Sequence, residues 1–525
     1  MQVSQNGTRD QQEKRKIRRI AVLGGGTAGL LTAITLQRKL PDISVQVVRS
    51  TKMGVIGVGE GTIVTIVKFL HRYLGLNSRR FHERAKPSLK LGIKYLWGER
   101  PFFHYTFSTQ LSSPDSQLSL PKGYYCRDSF DFADLSSALM LHDKVCLKRI
   151  DGRPKLGGGF SYHLENRTFV GYLEEVADEC GIPKIDDVVK GVEQDEHGIQ
   201  SLILSSGQRV EADMFVDASG FRSELLGKAL GEEFVDFSQV LFCDRAVVGG
   251  WERTDESYHP YTTAETMDAG WCWQIEHDEI INRGYVFSSS FLSDDQAEAE
   301  YRRKNPRVDR AHVVNFPAGA RRRSWVKNVV AIGNSAGFVE PLEATAIGTI
   351  CDSVAHIIRA LKASDGFLLP IQRDIYNRVS TENWEIIRDF LAIHYKFNGR
   401  LNTPFWQAAR HDVDIGSASD IVEYFQAVGP DFRLLEYDMK RNFFTNEGFF
   451  AMLVGQRVPY QRKVSISATE EKHWQSYKQE ISQAAKGGME MAECLADLRE
   501  HGLPAGMDGD AFGMDDSDFG GLRWQ

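Results

Sequence analysis

The sequence predicts an α/β fold: a Rossmann-type unit interrupted by an inserted antiparallel sheet and followed by a mainly helical module. Three observations lead to it. First, a short apolar run from Ile17 to Leu23 enters Gly24-Gly25-Gly26-Thr27-Ala28-Gly29, Leu30, Leu31, Ile34 and Leu36 then recur at helical spacing, and Val45, Val47 and Val48 return to strand character, which completes a βαβ unit. Second, strand-like pieces such as Gln200 to Leu204 and Met214 to Val216 alternate with loops through the middle of the chain, as expected where a second sheet interrupts the first. Third, the pattern turns helical from about Ile371, where Ile386, Ile387, Phe390, Leu391, Ile393 and His394 share one face ahead of the turn Asn402-Thr403-Pro404. These shifts divide the chain into a flexible arm (1–16), a nucleotide-binding and catalytic module (17–370), a mainly helical module capping the substrate site (371–503) and a flexible tail (504–525). The tail is rich in Gly, Asp and Met, with Trp524 available as an anchor.

At 525 residues the chain is long enough to bury one large core or two. A formal net charge of −8 offers no general attraction for nucleic acid, and Lys14, Arg15, Lys16, Arg18 and Arg19 read as part of a solvated arm. No segment approaches the roughly 18 consecutive apolar residues of a spanning helix, and Met1 to Asp10 lacks the apolar middle of a secretory signal. The expectation is a cytoplasmic protein with no membrane partner. Cys126, Cys146, Cys180, Cys243, Cys272, Cys351 and Cys494 are scattered, without close Cys or Cys/His pairs, so they read as reduced core residues and no metal site is expected. A homo-oligomer, by default a dimer, is expected only because symmetric pairs are common.

Gly24, Gly26 and Gly29 form G-x-G-x-x-G between a strand and a helix, with Thr27 and Ala28 in the turn. Such glycines permit a tight turn, close backbone approach to a pyrophosphate and close helix packing, and the helix N-terminus then faces the phosphates. The second strand ends in Arg49-Ser50 instead of a ribose-binding acid, so other groups must hold the adenosine, with Arg49 among the candidates. Asp217-Ala218-Ser219-Gly220 and Gly333-Asn334-Ser335-Ala336-Gly337 each follow an apolar strand. Together with the fingerprint they fit an FAD-binding module of the flavin monooxygenase kind, in which several loops of one sheet hold the cofactor, Asp217 and Gly333 included. The usual Gly-Asp of flavin hydroxylases is Gly333-Asn334 here. With a single nucleotide fingerprint present, reduced FAD is expected from a separate flavin reductase.

Five further segments make the chain similar to the flavin-dependent halogenases, especially the tryptophan halogenase family. They are Gly57-Val58-Gly59-Glu60-Gly61-Thr62-Ile63, Ser88-Leu89-Lys90-Leu91-Gly92-Ile93-Lys94, Gly270-Trp271-Cys272-Trp273-Gln274-Ile275, Gly284-Tyr285-Val286-Phe287-Ser288-Ser289 and Phe338-Val339-Glu340-Pro341-Leu342-Glu343. The resemblance runs in the family's order from about Ile17 to Trp406, and its Trp-x-Trp-x-Ile and Lys90 segments are the most specific. It implies that reduced FAD and O2 give a flavin hydroperoxide, that a halide ion (chloride, bromide or iodide) is oxidised by it, and that hypohalous acid travels through a tunnel to an electron-rich aromatic substrate kept apart from the flavin. A flavin-dependent hydroxylase or epoxidase of the same fold is the alternative.

In that frame Lys90 matches the family's catalytic lysine, with Lys94 the nearest competitor, whereas composition alone makes Lys90 a surface residue. Glu343 matches the second catalytic residue, able to stabilise the charged ring or take up its proton. Trp271 and Trp273 would line the wall between flavin and substrate; read without the resemblance they are core tryptophans of a strand. Gly57, Gly59, Glu60, Ala346 and Ile347 are further cofactor-binding candidates, and Thr345 with Ala346 the halide candidates. The family usually reads Glu-Ser-Thr-Gly where this chain has Glu343-Ala344-Thr345-Ala346, which leaves halide choice open, and Glu276 stands where the family motif ends in proline. His104, Phe107, Pro341 and Trp406 are the remaining substrate or tunnel candidates, in aromatic-rich segments suited to a flat ring. Indole, free tryptophan, a phenol or a larger natural product all remain open as substrate.

Overall fold

The strand Arg19–Leu23 buries Ile20, Ala21 and Val22 completely, as a central parallel strand covered on both faces must. In the computed structural model, which describes residues 16–52, 54, 59–112, 115–157, 159–433, 444–504 and 507, this strand lies between Ser44–Arg49 and Met214–Asp217. Lys184–Asp186 extends the parallel sheet on one side and Val329–Ala331 on the other, with Trp325–Val326 added antiparallel at the edge. On one face the fingerprint helix Thr27–Lys39 packs with the helices Asn166–Glu179 and Ala346–Ala363. On the other, Ala21, Leu23 and Val48 meet Ile199, Leu202 and Leu204 from a small antiparallel sheet of Val189–Asp195, Gly198–Leu204 and Arg209–Glu211. The strand-like piece at 200–204 therefore covers the Rossmann sheet instead of extending it.

The inserted sheet has seven strands, ordered Ala311–Asn315, Arg245–Glu252, Ile280–Phe287, Gly270–Glu276, Tyr261–Met267, Gly92–Leu96 and Phe103–Thr106. All its pairs are antiparallel except Tyr261–Met267 with Gly92–Leu96. One face is covered by Asp294–Lys304, whose Ala297 and Tyr301 pack with Met267, Cys272 and Tyr285. The opposite face shares one core with the helices Pro370–Lys396, Pro404–Asp412, Ser419–Val428 and Thr445–Gly455. The 27-residue helix Pro370–Lys396 bridges the two sheets. Its Tyr376 packs edge-on to Trp325 at the parallel sheet, its Trp384 covers Gly337, and its last turn brings His394 to the inserted sheet.

The C-terminal helices do not all join that second core. Met491, Cys494, Leu495 and Leu498 of Met491–His501 return to the core of the Rossmann sheet. There Cys494 Sγ lies 3.9 Å from Cys146 Sγ, a buried thiol pair that the scattered cysteine spacing does not reveal. All seven cysteines are free, and all but the partly buried Cys180 are buried. No helix among the described residues is long and apolar enough to cross a membrane, and no group of His, Cys, Asp or Glu among them is arranged to hold a metal. Most of the arm, most of the tail and Gly57 lie outside the described residues.

Candidate active site

The fingerprint turn depends on close backbone approach. Gly24 has φ +138°, and a Cβ there would lie 2.2 Å from the Ala218 carbonyl oxygen; a Cβ on Gly29 would lie 2.0 Å from the Gly24 oxygen. Gly26, the N-cap of the helix, instead has nothing within 4 Å of its missing side chain, and no side chain caps the helix. Unpaired helix N–H groups opening onto clear space suit a pyrophosphate, so the turn fits FAD. Gly333, at φ +63°, brings its loop against Ala28. Arg49 stands beside Gly25 and pairs with Glu174. Gly59 presses its backbone on His277, and desolvation pushes the neighbouring Glu60 carboxyl up to about 7 against an opposing hydrogen bond from Asn166. The buried carboxylate of Asp217 accepts from the backbone N–H groups of Ser219 (3.1 Å), Leu225 (2.8 Å) and Leu226 (2.9 Å), which shapes the loop after its strand.

Lys90 ends the fully buried strand Ser88–Lys90, which pairs with Ser161–Leu164, itself paired with Glu60–Gly61. Among the described residues its Nζ has no hydrogen-bond partner; it lies over the Phe107 ring, 5.3 Å from the centroid. Burial pushes the amine down to about 7, while the charge of Glu343 pulls it back up. Lys94 is only partly buried and rests on the rings of Phe102 (4.7 Å) and Tyr261 (5.3 Å). Of the two lysines, Lys90 is therefore the one coupled to Glu343.

Glu343 closes the short turn Pro341–Glu343, whose first residue has φ preset by the proline ring. Its Oε1 accepts from the Tyr95 hydroxyl and lies 2.8 Å from His394 Nε2. His394 Nδ1 lies 2.8 Å from the Phe390 carbonyl, which can only accept, so Nδ1 carries a hydrogen. His394 Nε2 faces the Glu343 carboxyl and lies 3.3 Å from the Tyr95 hydroxyl. Tyr95 and His394 were not picked out from the sequence as site residues. A lone histidine on an apolar helix face ordinarily reads as core, and no motif marks it.

After Glu343, Ala344 adopts the left-handed conformation at φ +56°, which for a residue with a Cβ costs roughly 1–2 kcal/mol. Thr345 then starts Ala346–Ala363 without any side-chain cap. The first N–H groups of that helix, Ala346 and Ile347 included, are an anion-binding arrangement.

Trp271 and Trp273 lie buried with ring centroids 6.1 Å apart, in the same core as Val339 and Leu342 of the Glu343 turn. Trp273 covers Gly284, where a Cβ would fall 2.0 Å from the indole, so the glycine makes room for the ring. Nearby, burial pushes Glu340 up to about 7 while it accepts from the Tyr395 hydroxyl. His104 is buried, with Nδ1 3.0 Å from an Asp131 carboxyl oxygen, and packs against Tyr261. The Trp406 ring is wholly buried between Trp97 and Tyr395, and its Nε1 donates to the Met267 carbonyl at 2.7 Å. Its helix turns that side chain into the core.

Residues 19–471 match the family model for tryptophan halogenase. Tryptophan 7-halogenase KtzQ of Kutzneria sp. is 30% identical over 483 residues, covering 84% of this chain and 89% of its own length. Among solved structures, MibH, a lathipeptide tryptophan 5-halogenase, superposes with a TM-score of 0.84 at 35% identity over 95% of this chain and 98% of its own. The flavin-dependent halogenase BrvH from Brevundimonas sp. BAL3 gives 0.80 at 29% identity over 92% and 99%. A parallel nucleotide-binding sheet, an inserted antiparallel sheet and a buried lysine coupled to a glutamate thus accompany a match over most of the chain, and the protein belongs to the tryptophan halogenase family of flavin-dependent enzymes.

Proposed function

We propose that the protein transfers halogen from hypohalous acid to an electron-rich aromatic ring, of indole type before phenol type, with Lys90 as the delivering residue and Glu343 as its partner. The observation that carries the reading is the buried Nζ of Lys90, left without a hydrogen-bond partner among the described residues and coupled to Glu343. Reduced FAD, replenished by a separate flavin reductase, supplies with O2 the oxidising power that turns a halide ion into hypohalous acid. Gly24, Gly26, Thr27, Ala28, Gly29, Gly59 and Gly333 would hold the cofactor, and backbone N–H groups at Thr345 and Ala346 the halide.

A lysine amine held near 7 has both protonation states within reach at neutral pH. The ammonium donates a hydrogen bond to hypohalous acid and polarises it. The free amine reacts instead as R-NH2 + HOX → R-NHX + H2O, keeping the halogen electrophilic. In either form Lys90 sets the halogen beside the ring, and the Glu343 carboxylate, held by the Tyr95 hydroxyl and beside His394, receives the ring proton once the carbon–halogen bond has formed. Trp271 and Trp273 would keep the ring away from the flavin, and Phe107 beside Lys90 and Pro341 in the Glu343 turn would border the place where it stacks, whereas His104 packs on the Lys94 side of the inserted sheet with Phe102 and Tyr261. KtzQ is named for tryptophan and MibH for a lathipeptide tryptophan, so indole is the first substrate to offer, both as the free amino acid and within a peptide.

The test is mass spectrometry of products from the protein with FAD, a flavin reductase, NADH, air and these substrates, each with chloride, bromide or iodide. Halogenated product dependent on both halide and Lys90 supports the reading. Oxygenated product formed without halide would make the protein a flavin monooxygenase of the same fold.

A further inference from the structure

The surroundings of Lys90 contain a hydrogen-bonded chain whose polarity is fixed at its far end. Ser88 Oγ donates to the Glu276 carbonyl, so it has no hydrogen left for His163. His163 Nδ1, 3.2 Å from Ser88 Oγ, must therefore be the donor, and the Glu276 carbonyl acts on the same imidazole as an acceptor. Burial, reinforced by the charges of Lys90 and His277, keeps His163 neutral, so its single hydrogen is on Nδ1 and Nε2 is bare. Nε2 lies 2.8 Å from Thr262 Oγ1, and only the threonine can supply that proton. The hydroxyl hydrogen of Thr262 is thus committed to His163, and its oxygen is left as an acceptor.

That oxygen and the Lys90 amine border one small space without bonding to each other. The site a Cβ would occupy on Gly61 is 3.2 Å from Lys90 Nζ, 3.4 Å from Thr262 Oγ1 and 3.3 Å from the Ala344 methyl. The glycine leaves one small space bordered by the amine, the hydroxyl and the methyl. In the family pattern a serine usually stands at position 344, and here Thr262 brings a hydroxyl to the same space from the strand Tyr261–Met267.

We propose that Thr262, oriented by His163, is a positioning residue for Lys90: the lysine amine, unpartnered where it stands, turns into the space Gly61 leaves open and there donates a hydrogen bond to the threonine hydroxyl oxygen. The inference rests on the reading of Lys90 as the delivering residue. The groups facing the amine are the Glu343 carboxyl, the neutral His163 and the Phe107 ring, with His277 behind His163 and itself pushed down to about 3 by burial. Glu343 favours the ammonium by charge, and Thr262 favours it by accepting its hydrogen bond.

The test is an NMR pH titration of FAD-loaded enzyme carrying lysine labelled with carbon-13 at Cε, the Lys90 signal being assigned by its loss in Lys90→Met. Thr262→Val keeps the shape and removes the acceptor, and is expected to lower the Lys90 midpoint by about one pH unit. Thr262→Ser is expected to hold the wild-type midpoint. His163→Leu, which releases the threonine proton to turn toward Lys90, is expected to lower it as well. The pH profile of halogenation should move in the same direction. Coincident titrations of wild type and Thr262→Val would overturn the proposal. Unchanged halogenation by Lys90→Met would instead overturn the reading of Lys90, whatever the titration shows.

Discussion

The turn at Gly24–Gly29 and the cluster around Lys90 reach their geometry by opposite means. At the turn, contacts are made by backbone against backbone, as where Gly29 lies against Gly24 and Gly24 against Ala218, and the side chains are absent because nothing larger fits. At the cluster, side chains from separate segments converge: Lys90 and Ser88 from one strand, His163 and Thr262 from two others, Glu343 from a turn and His394 from a long helix. The first region is specified by what is missing over six residues. The second is specified by register and packing over some 300. A substitution at the turn should act abruptly through steric exclusion, while substitutions in the cluster should act in graded steps through charge and hydrogen bonding.

The largest effect is expected at the turn. Gly29→Val places a branched side chain where even a Cβ would lie 2.0 Å from a carbonyl oxygen. FAD affinity should fall by about a hundredfold or more in a flavin fluorescence titration. Binding within a fewfold of wild type would mean that the turn yields and that steric exclusion does not define it.

Next is the stability cost of the buried lysine. The Lys90 amine is held at about 7 in the folded protein, below its ordinary value of 10.5. Between those values the unfolded chain binds the proton more readily, so this group destabilises the fold most below about 7 and the penalty fades as pH rises toward 10.5. Lys90→Met should therefore raise the unfolding free energy at pH 6–7, measured by denaturant unfolding, by an amount on the order of a few kcal/mol, with the gain shrinking toward pH 10. A variant less stable than wild type at pH 6 would show that the amine is not desolvated.

A smaller loss is expected on the other side of the cluster. His394→Phe removes one partner of the Glu343 carboxyl and should slow halogenation about tenfold, or about 1.4 kcal/mol, with KM for the aromatic substrate held within a fewfold. An unaltered rate would place His394 outside the proton path. Trp406→Phe should show the smallest effect, losing the bond to the Met267 carbonyl at a cost of about 1 kcal/mol in denaturant unfolding and leaving kcat unchanged. A selective fall in kcat would return Trp406 to the substrate site.

What is legible in the sequence follows the same division. Gly24, Gly26 and Gly29 can be read because the fingerprint and the βαβ pattern around it are local, and the inserted sheet and C-terminal helices follow from periodicity. Lys90 and Glu343 stand out only through resemblance, since a lone lysine at the end of a short strand has no periodic signature. Thr262, His163, Tyr95 and His394 escape notice because their meeting depends on strand register and on the rotation of one long helix. The surroundings of Asp217 and Trp406 are hidden from the sequence for a related reason. A motif places a residue near a site, but only the fold decides whether its polar atoms face the site or, as here, are taken up by neighbouring backbone. The Cys146–Cys494 pair, 348 residues apart, lies equally beyond any spacing rule.

The most direct test of the account is product analysis by mass spectrometry with FAD, a flavin reductase, an indole substrate and halide, comparing wild type with Lys90→Ala and adding catalase to remove free peroxide. The account predicts halogenated indole from wild type and at least about a hundredfold less from Lys90→Ala, with FAD binding equal in the two. Equal halogenation by both, or an oxygenated product formed without halide, would contradict it.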